Sequence, residues 1–294
     1  MIIVRLKGGL GNQLYQYALG RKISFLNNVE LKLDISGYQS YLLWSYQLGK
    51  FNIVEKIATD KEVASFLPYY IELNRRELKK LHNLTGLFSP YYKRKYVKER
   101  SNLFDPNILK ITDNAYLDGY WGSYKYFADI VDLLQKDFTV KAEMDQKNVE
   151  IARAIAGTES VSIHFRRGDY VTNPQTNAYH GTCSLDYYQR AVKDISKYVS
   201  DPHFFVFSDD PDWVQQNFSI PYPLSFVTIN GPDEPHKDLR LMSLCRHHII
   251  ANSSFSWWSA WLCTNKDKKV YCPDKWFNVP YDMRDAIPEF WKRI

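Results

Sequence analysis

The sequence predicts an α/β protein made of two doubly wound halves with parallel sheets, and three observations predict it. The opening residues read as strand, glycine turn, helix and strand. Beyond residue 150, five short apolar runs alternate with helical patterns. The length, 294 residues with 45% hydrophobic side chains, suffices for two cores, because a single core usually stops growing before that size.

Residues 1–6 are apolar and partly β-branched apart from Arg5, and they run into Gly8-Gly9-Leu10-Gly11-Asn12. Leu14, Tyr17, Ala18, Arg21 and Phe25 then recur at helical spacing, and residues 30–34 alternate as a second strand, which completes a βαβ unit. Helices are expected next at 60–66 and 125–134 and a strand at 115–119, with a basic, tyrosine-rich segment between them. In the second half, strands are expected at 160–165, 203–207, 225–229, 248–251 and 269–272. Ser184 should cap a helix whose Leu185, Tyr188, Ala191, Val192, Ile195 and Val199 share one face. Ser208-Asp209-Asp210-Pro211-Asp212 reads as a helix start with proline in the first turn. The halves are expected to join near residue 150, within 145–157, where the strand-helix rhythm restarts.

Composition excludes several classes. Disordered chains are poor in aromatics, whereas 16% of these residues are Phe, Trp or Tyr. No window approaches the roughly 18 consecutive apolar residues of a membrane helix, and the start MIIVRLKGGLGNQ has no secretory apolar region. A cytosolic protein is expected. Cys183, Cys245, Cys263 and Cys272 form no C-x-x-C pair, so they read as small buried side chains rather than a zinc or redox motif. The net charge is +5, and residues 79–100 alone carry seven Lys or Arg against one acid, Glu99.

In an open parallel sheet the ligand lies beyond the carboxyl ends of the strands, and four such places carry polar or glycine-rich sequence. Gly8-Gly9-Leu10-Gly11-Asn12 would expose backbone N–H groups at the positive end of a helix, although a tight turn would use the same residues. It is neither a Walker loop nor a dinucleotide fingerprint, since no Gly-Lys-Ser follows and Leu14 stands where the third glycine belongs. His164-Phe165-Arg166-Arg167-Gly168-Asp169 is more specific. Arginine cannot lose its charge and presents a fixed fork, so Arg166 suits a pyrophosphate that must be stabilised as it leaves, without a metal. Alternation along the strand would turn His164 and Arg166 one way and Arg167 the other, toward an acid. Asp209 and Asp210 suit a guanine edge or a ribose, or equally a helix cap. Asp210-Pro211-Asp212 matches the D-x-D pattern of metal-dependent transferases, but the proline fits capping better, and no metal is assigned. Asn252, Ser253, Ser254 and Ser256 open a further helix, as caps or phosphate ligands.

With these residues assembled, the chain resembles glycosyltransferase family eleven, the α-1,2-fucosyltransferases, in its bacterial form. RLKGGLGNQLYQYALGR, HFRRGD, FSDDPDW and ANSSFSWWSAWL occur in the family's order and span nearly the whole chain; Leu14-Tyr15 stands where Met-Phe is common. The resemblance implies a GT-B fold, with two Rossmann-like domains facing each other across a cleft. Residues 1–150 would form the acceptor side and 151–294 would bind GDP-fucose. It also implies inverting, metal-independent transfer of L-fucose to a sugar hydroxyl, α-1,2 to a terminal galactose, in surface polysaccharide synthesis. Carried over, Arg166 would contact the β-phosphate, His164 with Asp209 or Asp210 would hold guanine or ribose, and Ser254 or Ser256 would add phosphate contacts. The backbone of Gly9, Gly11 and Asn12 would close over the pyrophosphate.

An inverting transfer wants a base for the acceptor hydroxyl. Asp169 is nearest in sequence, although an aspartate beside two arginines makes a better ion-pair partner than a base; Asp34 and His180 are alternatives. Arg166 and Asp169 are therefore the catalytic candidates. Two other readings compete: a transferase using another nucleotide sugar, and a carbohydrate-binding module exploiting the many aromatics. The module has no reason to bind GDP. Acceptor specificity is expected from residues 38–46 and Trp121. The acceptor, an oligosaccharide, would resemble a lipid-linked glycan, and segment 79–100 is read as weakly attracted to an anionic membrane face. Nucleic acid is discounted, because no binding motif accompanies the charge.

Overall fold

Each half of the chain builds its own parallel sheet. The protein is a computed structural model that describes residues 1–39, 43–67 and 90–294. Its two units are Met1–Phe138 with Arg284–Ala286, and Thr139–Met283 with Ile287–Ile294.

The first unit contains β1 (Ile2–Arg5), α1 (Leu10–Asn27), β2 (Leu31–Asp34), α2 (Asp60–Phe66), β3 (Tyr96–Lys98), β4 (Ala115–Asp118) and α3 (Val131–Asp137). Its strands run parallel in the order β2-β1-β4-β3. β1 is central, and Ile2, Ile3 and Val4 are fully buried, as a strand covered on both faces requires. Helix α1 follows a glycine turn in which Gly8 takes φ +78, a conformation that a side chain at this position would strain. Gln13, Gln16 and Lys22 are buried on α1 with the apolar residues, each with a partner. A hydroxyl and a guanidinium from the same helix, Tyr17 Oη at 2.6 Å and Arg21 Nε at 2.8 Å, donate to the buried Asp137 carboxylate of α3. The helix expected at 125–134 starts as two short 3₁₀ turns, Tyr124–Tyr126 and Ala128–Ile130, and becomes α-helical only at α3.

The second unit contains α4 (Gln146–Ala156), β5 (Glu159–Phe165), α5 (Gly168–Thr172), α6 (Pro174–His180), α7 (Leu185–Ile195), β6 (Pro202–Ser208), α8 (Pro211–Asn217), β7 (Leu224–Phe226), α9 (Pro235–Leu244), β8 (His247–Ile249), α10 (Ser254–Leu262), β9 (Val270–Cys272) and β10 (Lys292–Arg293). The strands run parallel in the order β10-β9-β8-β5-β6-β7. Phe204 and Val206 of β6 pack with Val161, Ile163 and Phe165 of β5 and with Tyr188 and Ile195 of α7. Phe205 and Phe207 point the other way, into a layer with Ile155, Leu241 and Met242. This alternation is what a sheet with helices on both faces imposes. Ser184 caps α7 by accepting the N–H of Tyr187 at 3.2 Å, as expected. All four cysteines are free thiols; Cys183 is half-buried and the other three are buried.

The units divide between Phe138 and Thr139 rather than near 150. The reason is α4: Asp145 caps it, and its Ile155 belongs to the second unit's core, a commitment that strand-helix rhythm does not reveal.

Replacing Asp137 with alanine leaves a buried hydroxyl and a half-buried guanidinium without their acceptor, so stability should fall by about 3 kcal/mol, read from urea denaturation midpoints.

Candidate active site

Because β8, β5 and β6 are neighbours in the sheet, the loops that follow them converge at one carboxyl edge. Tyr170, on α5 after β5, donates through its hydroxyl to the carbonyl of Asn252 in the loop after β8, at 3.3 Å. His164 and Phe255 lie 5.4 Å apart, ring centre to ring centre.

Arg166 sits at the middle of this edge. Its Nη2 donates to Asp169 of its own loop, and its Nη1 donates to Asp209 of the β6 loop at 2.6 Å. Arg167 donates through Nε to Asp210 at 2.9 Å and stacks 3.3 Å from the centre of the Trp213 ring. Its backbone N–H goes to Asp209 at 2.7 Å. Both arginines therefore turn to the β6 loop, contrary to the expected alternation. β5 ends at Phe165, and past that point strand geometry no longer dictates side-chain direction. Arg167 does pair with an acid, as expected. Gly168 makes the arrangement feasible, since a Cβ there would come within 2.6 Å of Asp209.

His164 is buried, and burial pushes its pKa down to about 4. Its Nδ1 has no hydrogen-bond partner among the described residues. A buried ring nitrogen without a partner beside a cluster of charges is where a ligand group would be welcome.

Other sequence candidates are built into the scaffold. Asn252 donates from Nδ2 to the carbonyls of His180, Gly181 and Trp276, at 3.0 to 3.1 Å, and accepts from Cys183 through Oδ1. Ser256 is fully buried and donates to the Ser253 carbonyl, while Ser253 caps α10 by accepting the N–H of Phe255. Asn252, Ser253 and Ser256 thus shape the loop, and Ser254 is the half-buried hydroxyl residue among the four. Asp210 occupies the cap position of α8 but makes no side-chain cap bond, because its carboxylate is spent on Arg167.

Gly9, Gly11 and Asn12 belong to the first unit. Gly9 is the cap residue of α1, with no side-chain acceptor, and no acid stands in the first helical turn. Gln13 Nε2 donates to the carbonyls of Gly8 and Ser45, and Gln16 exchanges two hydrogen bonds with the backbone of Lys7. These two glutamines, which hold the glycine turn in shape, were missed in the sequence; amides three apart among the apolar residues of the helix's first half were the available signal. Tyr170 was missed as well, and Gly168 and Trp213 lay inside the HFRRGD and FSDDPDW motifs without a role assigned to them.

Of the candidate bases, Asp169 is paired with Arg166. Asp34 is buried, accepting from Tyr116 Oη and from the N–H of Ser36. His180 stacks on Tyr170 at 4.5 Å and lies tilted against Phe277 at 5.1 Å, and burial lowers its pKa. Of segment 79–100, residues 79–89 lie outside the described residues; in the remainder Val97 is buried in β3 and Arg100 stacks on Tyr91 at 4.0 Å.

Two Rossmann-like units, one with a convergent arginine-carboxylate site beyond its central strand, define a glycosyltransferase of the GT-B fold. The chain belongs to glycosyl transferase family 11, whose model matches residues 1–291. It is 34% identical to an alpha-1,2-colitosyltransferase of Escherichia coli, over 100% of this chain and 99% of that protein. It is 32% identical to the O-antigen biosynthesis glycosyltransferase WbnK of Escherichia coli, over 92% and 93%. Galactoside alpha-(1,2)-fucosyltransferase 2 of Bos taurus is 23% identical, over 82% and 78%. Among solved structures, NodZ alpha-1,6-fucosyltransferase soaked with GDP-fucose superposes with a TM-score of 0.51 at 15% identity, covering 89% of this chain and 91% of that one, which establishes the shared fold.

The unfolded chain takes up a proton on His164 near pH 6.5 and the folded chain only near 4. The stability linked to this residue is complete above pH 6.5 and is lost as the pH falls toward 4. At pH 5 the loss should reach about 2 kcal/mol, seen as a steeper acid decline in denaturation midpoint for the native protein than for His164→Asn.

Proposed function

We propose that this protein transfers L-fucose from GDP-β-L-fucose to an acceptor sugar hydroxyl, α-1,2 to a terminal galactose, with inversion and without a metal, in surface polysaccharide synthesis. The second unit would take the donor and the first the acceptor. The observation that carries this reading is the position of Arg166: a permanently charged fork at the carboxyl end of the central strand, already oriented by Asp169 and Asp209. As the bond from fucose C1 to the β-phosphate oxygen breaks, negative charge grows on that oxygen, and the guanidinium stabilises it. The acceptor oxygen attacks from the opposite face of C1, which inverts the β donor to an α product, and its proton passes to a base. Leaving-group stabilisation is the dominant contribution, because the sugar is cation-like in the transition state. His164 would meet the nucleotide through its open nitrogen.

A second reading has one observation in its favour: the colitosyltransferase relative is more similar to this chain than the bovine fucosyltransferase is. Colitose is fucose without the 3-hydroxyl, so the two donors differ by one polar group. A pocket that hydrogen-bonds that hydroxyl rejects the analogue lacking it, whereas a pocket shaped for the deoxy sugar has no donor or acceptor to offer there.

With GDP-fucose and lactose, Arg166→Ala should lower turnover by roughly 100- to 1,000-fold with the fold intact, and near-normal turnover would refute the assignment. In a competition among GDP-fucose, GDP-colitose, GDP-mannose and UDP-sugars, GDP-fucose should give the highest kcat/KM. Preference for GDP-colitose would establish the second reading instead.

A further inference from the structure

The carboxyl edge of the first unit's sheet carries side chains that the donor site does not use. Beyond β4 the chain runs Gly119-Tyr120-Trp121, and Trp121 adopts φ +57, the left-handed region that a bulky side chain avoids. Glu99, which follows β3, holds the turn: one carboxylate oxygen accepts the N–H of Tyr120 at 2.6 Å and the other that of Trp121 at 2.9 Å. Glu99 is itself tied back to the sheet, its N–H donating to the Asp118 carbonyl at 2.9 Å.

The consequence is a reversal of the two aromatic side chains. Trp121 turns inward, 1% exposed, with its ring edge-on to Tyr126 at 6.2 Å. Tyr120 turns outward and is 49% exposed, with Lys7 Nζ lying 4.7 Å from its ring centre. Lys7 is fixed in turn, donating at 2.9 Å to Asp118, which also accepts from Arg5 Nη1 at 3.2 Å and Tyr96 Oη at 2.7 Å. A half-exposed aromatic ring thus stands beside a charged frame at the carboxyl ends of β1 and β4, where parallel sheets of this kind meet their ligands. A left-handed tryptophan held in place by a half-buried carboxylate is the kind of strained segment that clusters at functional sites.

We propose that Tyr120 is the platform on which the acceptor galactoside stacks, and that Glu99 is the positioning residue that presents it. A galactose ring has one face of C–H bonds, made slightly positive by the attached oxygens, and the negative face of an aromatic ring matches it. Trp121, which the sequence suggested for this role, is buried and instead anchors the turn. The inference rests on the galactoside acceptor proposed above.

Saturation-transfer NMR with lactose and the full chain reads the contact directly, and steady-state kinetics with GDP-fucose reads its use. Tyr120→Ala should abolish most of the transfer to the galactose protons and raise the lactose KM about 10-fold, with kcat changed less than about twofold. Tyr120→Phe should restore the lactose signal, because the ring rather than the hydroxyl makes the contact. Glu99→Ala should produce the same rise in lactose KM together with an altered near-ultraviolet tryptophan dichroism. A lactose signal or KM that is the same in Tyr120→Ala as in the native protein overturns the inference, as does a native protein that shows no lactose signal. Failure of the donor assignment looks different: lactose binding would still depend on Tyr120 while GDP-fucose went unconsumed.

Discussion

One guanidinium held by two carboxylates organises the second unit's functional edge. Arg166 binds an acid from its own loop and an acid from the next strand's loop, while Arg167 binds a third acid and a tryptophan ring. Four charged contacts of this kind would contribute little on an open surface. Here they join the loops after β5 and β6, and they define where a phosphate would meet a cation. An arginine whose rotamer is already chosen loses little freedom when it takes a ligand, which is how a flexible side chain becomes a precise one. The arrangement depends on the absence of a side chain at Gly168 and on β5 and β6 being adjacent.

The same edge depends on an unusual strand. One face of β5 is apolar, with Val161, Ile163 and Phe165 in the core, and the other carries Ser160, Ser162 and His164, all buried. Burying polar groups is costly unless they find partners. Ser160 accepts the N–H of Arg246 at 3.1 Å and Ser162 meets His248 Nδ1 at 2.8 Å, so two of the three are compensated inside the protein. His164, last in the row and nearest the edge, keeps one nitrogen without a partner among the described residues.

Much of this was legible in the sequence, and the misses have a common cause. The strands of the second unit could be read because each is a short apolar run bounded by polar loops, and HFRRGD could be read because two arginines and an aspartate at a strand end are chemically unusual. β3 could not, since Tyr96-Val97-Lys98 sits inside a basic stretch and only Val97 of the three is fully buried. Asn252 and Ser256 looked like ligands because amides and hydroxyls before a helix serve either purpose, and only their three-dimensional partners reveal that both are consumed within the fold. The direction of Arg167 failed for a related reason: strand alternation was extended one residue past the strand. Trp121 and Tyr120 show the limit most plainly. Neighbouring aromatics in a sequence carry no sign of which one turns inward, and here the choice is made by Glu99, far from both along the chain.

The charge balance at Arg166 and Arg167 bears on turnover as well as binding. Two cations face three carboxylates, so the resting cluster is not an anion trap. A pyrophosphate bound there would have to compete with Asp169 and Asp209 for the same fork. In the proposed reaction that competition has a use. The leaving group after transfer, GDP, carries more charge on its terminal phosphate than the donor did, and a purely cationic pocket would hold it more tightly than the substrate. Carboxylates that returned to the guanidinium as GDP departed would offset that excess and favour release, a step that limits many well-evolved enzymes. A divalent cation bound by acids would have to solve the same problem by exchanging water. In the proposed reaction an arginine with two resident acids would solve it by exchanging partners.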